Sequence, residues 1–181
     1  MRIAGSLWSL LAMRRAHRLA RVLAETIPRS ARSVLEVGCR EGTLSALVQR
    51  RRPALTFRGL EAAPPLRSRI PVEPYDGAHL PYLDHSFDVV MFVDRLAHAP
   101  DPTVLLREAR RVARLGVVLK DQVRTLGAAE WGRALRATGL AARSWHDCPS
   151  LYPAPACWVF ERGQPFVAWL GRATPERSPL A

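Results

Sequence analysis

Lysine is almost missing from this 181-residue chain: Lys120 is the only one, and every other member of its 27 basic residues is arginine. Against 16 acidic residues they leave a net charge of +11. Such a balance raises nucleic acid or an acidic membrane surface as partners. The arginines, however, are spread along the whole chain among alanine and proline, so a solvated basic surface from biased composition is the better reading, with no specific nucleic-acid partner. Cysteine is scarce as well. Cys39, Cys148 and Cys157 form an odd set without metal-ligand spacing, which argues against a disulfide framework or a metal site and fits a reducing, cytoplasmic setting. No long apolar run is present: Ile3 to Met13 falls short of the roughly 20 residues a transmembrane helix needs. Arg14-Arg15 stands where a signal peptide would carry its small-residue cleavage site. Internal repeats and low-complexity linkers are absent too. Aromatics are few, at 7%, and Trp131, Trp145 and Trp158 are expected in the core, where aromatic rings bury the most area.

What is present alternates. Arg14 to Thr26 carries a helical apolar stripe, and with Leu7 to Met13 it predicts one leading helix that stops before Pro28. A packed helix is the simpler reading of this region (1–30), although an interfacial membrane helix would share its arginine-rich pattern. Strands are predicted at Ser33 to Val37, Leu55 to Leu60, Val72 to Tyr75, Phe87 to Val93, Val117 to Lys120, Ala142 to Trp145 and Cys157 to Glu161. Phe87 to Val93 is apolar enough to be buried on both faces. Helices are predicted at Thr43 to Arg51, at Pro102 to Ala113 with Asp101 as N-cap, and at Glu130 to Thr138, ended by Gly139. Strands alternating with helices make a parallel α/β sheet over 31–165, with 166–181 as a tail.

The turn after the first strand is the central chemical signal. Gly38 leaves the strand in a conformation that side chains disfavour, and Gly42 permits close approach to the following helix. The free N–H groups opening the Thr43 helix then face an anion. Glu36, at the end of the strand, is placed to accept from an ammonium. Glu61 follows the second strand at the distance, about 20 residues on, where an acidic side chain takes both ribose hydroxyls. Asp76-Gly77 ends the third strand, where an aspartate can accept from an adenine amino group.

These pieces resemble one family in its order. Glu-Val-Gly-Cys-Arg-Glu-Gly-Thr-Leu (36–44), Gly-Leu-Glu (59–61), Asp-Gly-Ala-His-Leu-Pro-Tyr (76–82), Asp-His-Ser-Phe-Asp-Val-Val (84–90) and Leu-Leu-Arg-Glu-Ala-Arg-Arg-Val (105–112) are similar to the class I S-adenosylmethionine-dependent methyltransferases. The group they resemble most is the small methyltransferase-domain set related to ubiquinone-biosynthesis methyltransferases. Leu-Tyr-Pro-Ala-Pro-Ala-Cys-Trp-Val-Phe-Glu-Arg (151–162) is similar to the end of some bacterial members. The resemblance implies a Rossmann-like three-layer sandwich whose seven-stranded, mostly parallel sheet has an antiparallel last strand. It also implies S-adenosyl-L-methionine as cofactor. Glu36, Gly38 and Gly42, with Cys39 in the same turn, would hold the methionine part, Glu61 the ribose, and Asp76 with Gly77 the adenine. Asp94 would contact the methionine amino group, and His98 matches a histidine common at the active-site mouth. His79 and His85 read as solvated, and His146 and Cys148 have no partner that sequence identifies.

Two departures stand out. The family's usual glycine between Gly38 and Gly42 is Arg40 here, and the segment Val123 to Trp131 is shorter than the aromatic-rich cover that similar bacterial members carry. The expected activity is methyl transfer to a small-molecule acceptor, with oxygen, nitrogen and carbon all open. The alternative is a methyltransferase-like chain without turnover, acting as a cofactor-binding or partner subunit. An NAD-dependent oxidoreductase is disfavoured by the histidine- and proline-bearing segment after the third strand. A nucleic-acid methyltransferase is disfavoured by Val93-Asp94-Arg95-Leu96, which replaces an Asn/Asp-Pro-Pro-Tyr-like motif.

Overall fold

A computed structural model describes residues 3–122, 128–147 and 165–172. Its elements are α1 (Ile3–Thr26), β1 (Ser33–Val37), α2 (Thr43–Arg51), β2 (Thr56–Glu61), β3 (Val72–Pro74), β4 (Phe87–Val93), α3 (Pro102–Val112), β5 (Ala113–Gln122), α4 (Ala128–Ala137), β6 (Leu140–Asp147) and β7 (Pro165–Arg172), with a short 3-10 turn at Leu96–His98. The strands form one sheet in the order β3-β2-β1-β4-β5-β7-β6. The first five run parallel, and β7 lies antiparallel between β5 and β6. This is the α/β sandwich the sequence implied, antiparallel last strand included.

Alternation along the buried strands assigns the two faces. Val34, Val89, Met91 and Val118 point toward α1 and α2, where they meet Leu19, Leu23, Ile27, Leu47 and Val48. Leu35, Val37, Val90, Phe92, Val117 and Leu119 point the other way, onto Leu105, Leu106, Ala109 and Val112 of α3 and Leu135 near the end of α4. The leading helix is therefore a packed layer of the sandwich. None of the described helices is long and apolar enough to cross a membrane. The carbonyls at the end of α1 find a donor in Arg52, whose guanidinium donates to the oxygens of Ala24 (3.3 Å), Ile27 (2.5 Å) and Pro28 (2.9 Å). That contact closes one helix end and ties α1 to the loop after α2.

The expected helix starts are present. Asp101 accepts from the Thr103 N–H at 2.8 Å and Pro102 sits in the first turn of α3. Two readings need correction. Residues 166–172 are not part of a tail, because β7 (Pro165–Arg172) pairs with neighbours on both sides, and 173–181 lie outside the described residues. Phe166 to Leu170 is an apolar strand in its own right, and it was masked by the equally apolar run at Cys157 to Phe160. That earlier run, with Cys148 and Trp158, lies outside the described residues, as do 123–127 of the short segment before α4. The second correction is to β5, which starts at Ala113 directly from the last turn of α3, four residues before Val117, so no loop separates the two.

Candidate functional site

The carboxyl ends of β1, β2, β3 and β4 converge on one edge of the sheet, and the residues singled out in sequence gather there. The turn from Gly38 to Gly42 lies over β2: the N–H groups of Gly38 and Cys39 donate to the Leu60 oxygen at 2.8 and 3.3 Å. Gly38 (φ 75°) and Gly42 (φ 72°) take left-handed backbone, and so does Arg40 (φ 51°) between them. A glycine is cheaper in that region than any side chain, which explains why Arg40 looked anomalous in sequence. The arginine nonetheless keeps the turn: its side chain is exposed, and its N–H donates to Glu61 Oε2 at 2.9 Å. The other Glu61 oxygen accepts from the Ala62 N–H at 3.1 Å. Glu61 is thus fixed beside the turn by two backbone donors. Gly42 faces protein, not open space, since a Cβ there would stand 2.4 Å from the Ile70 side chain. Cys39 is buried against Gly59, and burial pushes its thiol up to about 12.

Glu36 does not stand open for an ammonium, as the sequence reading expected. It is 3% exposed, and its Oε2 accepts from Ser45 Oγ at 2.5 Å. The Ser45 backbone N–H is a second donor. From the sheet, Glu36 therefore caps α2, whose N-cap Gly42 offers no side chain for the task. Burial, first of all, raises its pKa to about 7, with Ser45 opposing the rise and the nearby Glu61 adding to it.

Asp76 folds back on its own turn. Oδ1 accepts from the N–H groups of Ala78 (2.8 Å) and His79 (2.7 Å), and Oδ2 meets His79 Nδ1 at 2.8 Å. The His79 and Ala78 N–H groups, more than the imidazole, hold the Asp76 pKa down to about 2. His79 is solvent-facing as expected, with its own pKa raised by the Asp76 hydrogen bond. Gly77 (φ 89°) has open space where a Cβ would project. Asp94, left-handed at φ 51°, is 27% exposed and receives Lys120 Nζ on both carboxylate oxygens at 2.5 Å. His98 ends the 3-10 turn, exposed at the same edge.

Sequence reasoning missed four contributors. Ser45 pairs with Glu36, and Lys120 is wholly buried against Asp94. Arg95 and Tyr75 meet above Gly38, with Arg95 Nε and Nη2 donating to the Tyr75 hydroxyl at 3.3 and 3.2 Å. Lys120 carried a signal, being the only lysine in a chain that otherwise uses arginine. A concavity of about 260 Å³ lies away from this edge, between α3 and the turn before β4, lined by Asp84, His85, Arg107, Arg110, Arg111 and Thr138. It has neither the glycine turn nor the strand-end carboxylates. Among the described residues no cluster of histidine, cysteine and acidic side chains could hold a metal ion.

This geometry fits an adenosylmethionine-type ligand in its parts. The start of α2 has no cap from its N-cap residue Gly42 and is capped only at Ser45, by Glu36; Glu61 is fixed at the strand end beside the turn, and Gly77 borders open space. Comparison with known proteins agrees. Methyltransferase GfsG of Streptomyces halstedii is 34% identical over 113 residues, covering 55% of this chain and 40% of the relative. Ajmaline N-methyltransferase of Rauvolfia serpentina is 32% identical over 101 residues, 51% of this chain and 34% of the relative. The chain thus spans well under half the length of either. Among solved structures the [4+2]-cyclase SpnF superposes with a TM-score of 0.70 at 18% identity, covering 87% of this chain and 82% of SpnF, a likeness of fold alone. A family model described as a methyltransferase domain matches residues 11–158. With that match over most of its length, the chain belongs to the class I S-adenosylmethionine-dependent methyltransferases.

Proposed function

We propose that the chain binds S-adenosyl-L-methionine at the Gly38 to Thr43 turn and transfers its methyl group to a small organic acceptor. One observation carries the reading: the Arg40 N–H to Glu61 bond joins the glycine turn and the ribose-binding carboxylate into one rigid unit. In the bound state the N–H groups opening α2 face the methionine carboxylate. Glu61 accepts from the ribose hydroxyls, and Asp76 with Gly77 borders the adenine. Asp94, fixed by Lys120, offers its remaining lone pairs to the methionine ammonium. Glu36 and Cys39 act beneath the ligand: the first holds the helix start, the second packs the turn onto Gly59.

The sulfonium, when bound, supplies an already activated methyl donor. The protein's part is then proximity, orientation and, for a weakly acidic acceptor, a base. We assign that proton to His98, which is exposed at the end of the 3-10 turn after β4. The name of one relative, ajmaline N-methyltransferase, supports a small acceptor, while that of methyltransferase GfsG names none.

The test is turnover with methyl-labelled S-adenosylmethionine over a panel of small phenols, amines and activated carbon acids. Label in one acceptor class, reduced at least tenfold by His98→Ala at neutral pH, supports the assignment. A folded chain that binds cofactor yet labels none of them overturns the transferase reading in favour of a non-catalytic partner subunit. Labelling of DNA or RNA in their place overturns the small-molecule reading.

A further inference from the structure

Arg95 sits where the cofactor reading needs room. It follows Asp94 at the end of β4, and its side chain crosses the end of β1. A Cβ on Gly38 would lie 2.6 Å from Arg95 Cδ, 2.9 Å from Cγ and 3.2 Å from Nε. Its guanidinium ends on the Tyr75 hydroxyl, one residue past β3. In the order β3-β2-β1-β4 these two residues come from the first and fourth strands, so their contact bridges the edge above β1 and β2. Tyr75 is buried as part of the same apolar core cluster as Leu80 and Leu96, which fixes the far anchor. Arg95 is only half-buried.

We propose that Arg95 and Tyr75 form a latch across the cofactor crevice, which the donor must open in order to bind. The inference rests on the reading that the Gly38 turn holds the donor. Two arguments favour displacement over a direct contact with the ligand. The methylene stem of Arg95 covers the face of Gly38 that a ligand has to approach. The guanidinium is also a cation in the space where the donor brings a cationic sulfonium, and two like charges a few ångströms apart in a partly dry crevice repel strongly. The demethylated product is a neutral thioether at that atom and meets less opposition. The latch consequently discriminates between donor and product, lowering the affinity for donor more.

Calorimetric titration of the full chain, with Arg95→Ala and Tyr75→Phe beside the wild type, tests this. Tyr75→Phe keeps the buried ring and removes only the hydroxyl. The expected result is that Arg95→Ala tightens S-adenosylmethionine by about tenfold and the demethylated product by only about threefold, with Tyr75→Phe tightening both by about threefold, in keeping with the modest net worth of such hydrogen bonds. Weaker binding in Arg95→Ala would make Arg95 a ligand contact and overturn the latch. Unchanged binding in both variants, with the wild type still binding, would overturn it too while leaving the cofactor site standing. If wild type and both variants all stay folded by circular dichroism and none binds either ligand, the cofactor reading itself falls and takes the latch with it.

Discussion

At the amino edge of the sheet, carboxylates are clasped by arginines; at the carboxyl edge Glu61 and Asp76 are held by backbone N–H groups, Glu36 by Ser45 and Asp94 by the buried Lys120. Asp88, at the start of β4, accepts from the N–H groups of Arg32 (2.7 Å) and Ser33 (3.2 Å) and from Arg114 Nε at 2.8 Å, and the Ser33 hydroxyl accepts from its N–H. Glu108 and Arg111 on α3 form a paired fork at 2.8 Å on both sides, and Arg111 also reaches Asp84 and the carbonyls of Leu80 and Tyr82. That network staples the 80–84 turn to α3. It gives a physical reason for the Leu-Leu-Arg-Glu-Ala-Arg-Arg-Val motif. The carboxyl edge differs. Gly38, Arg40, Gly42, Gly77 and Asp94 all take left-handed backbone there, two of them without the freedom of glycine. Among the described residues, two of the three non-glycine positions with left-handed backbone, Arg40 and Asp94, lie at this edge, and the third, His85, lies in the turn before β4. On the proposed reading, one edge holds the fold together and the other meets a ligand.

The contrast breaks or sharpens under substitution. Asp88→Ala should have the largest effect, because it strands several donors at a buried position. We expect a loss of about 3 kcal/mol by urea denaturation, with cofactor affinity unchanged. If affinity fell with stability, the two edges would not be separable. Burial alone would raise the Asp88 pKa, but the Arg32 and Ser33 N–H groups and Arg114 outweigh it and hold it low. Its contribution is therefore present above the ordinary carboxylate pKa and lost as pH falls through the lower folded-state value. Asp88→Asn should flatten that acid limb.

Glu36 predicts the opposite sign. Its pKa is raised in the fold to about 7, so its contribution is complete below the ordinary value of 4.5 and disappears as pH climbs through 7. Glu36→Gln mimics the protonated form. It should raise stability by about 3 kcal/mol at pH 8 and by less than about 1 kcal/mol at pH 5, read from melting curves at the two values. Equal effects at both would show that the carboxyl is ionised throughout. Smallest of the series is Asp101→Ala, which removes the cap of α3. It should cost about 1 kcal/mol, with ligand binding untouched.

Local physics explains what the sequence made legible. The start of α3 was readable because Asp101 and Pro102 are adjacent signals, and β1, α2 and β4 because their apolar periods are strong and their stops close by. Glu61 and the Gly38 turn were readable because strand-end spacing places them. Contacts between distant segments were not legible. Lys120 with Asp94, Arg95 with Tyr75, and Glu36 with Ser45 each depend on which strands lie side by side. The position of β7 depends likewise on a choice between two apolar runs that no local rule decides. Glu36 illustrates the cost: its placement at a strand end was right, but burial turned an expected ligand contact into a helix cap.

The most direct test of the account is the affinity of the full chain for S-adenosylmethionine, measured by calorimetry for wild type and Glu61→Ala. The account predicts micromolar binding to the wild type, and binding at least twentyfold weaker in Glu61→Ala at an unchanged melting temperature. Equal affinity in the two proteins, or no binding by a well-folded wild type, would contradict it.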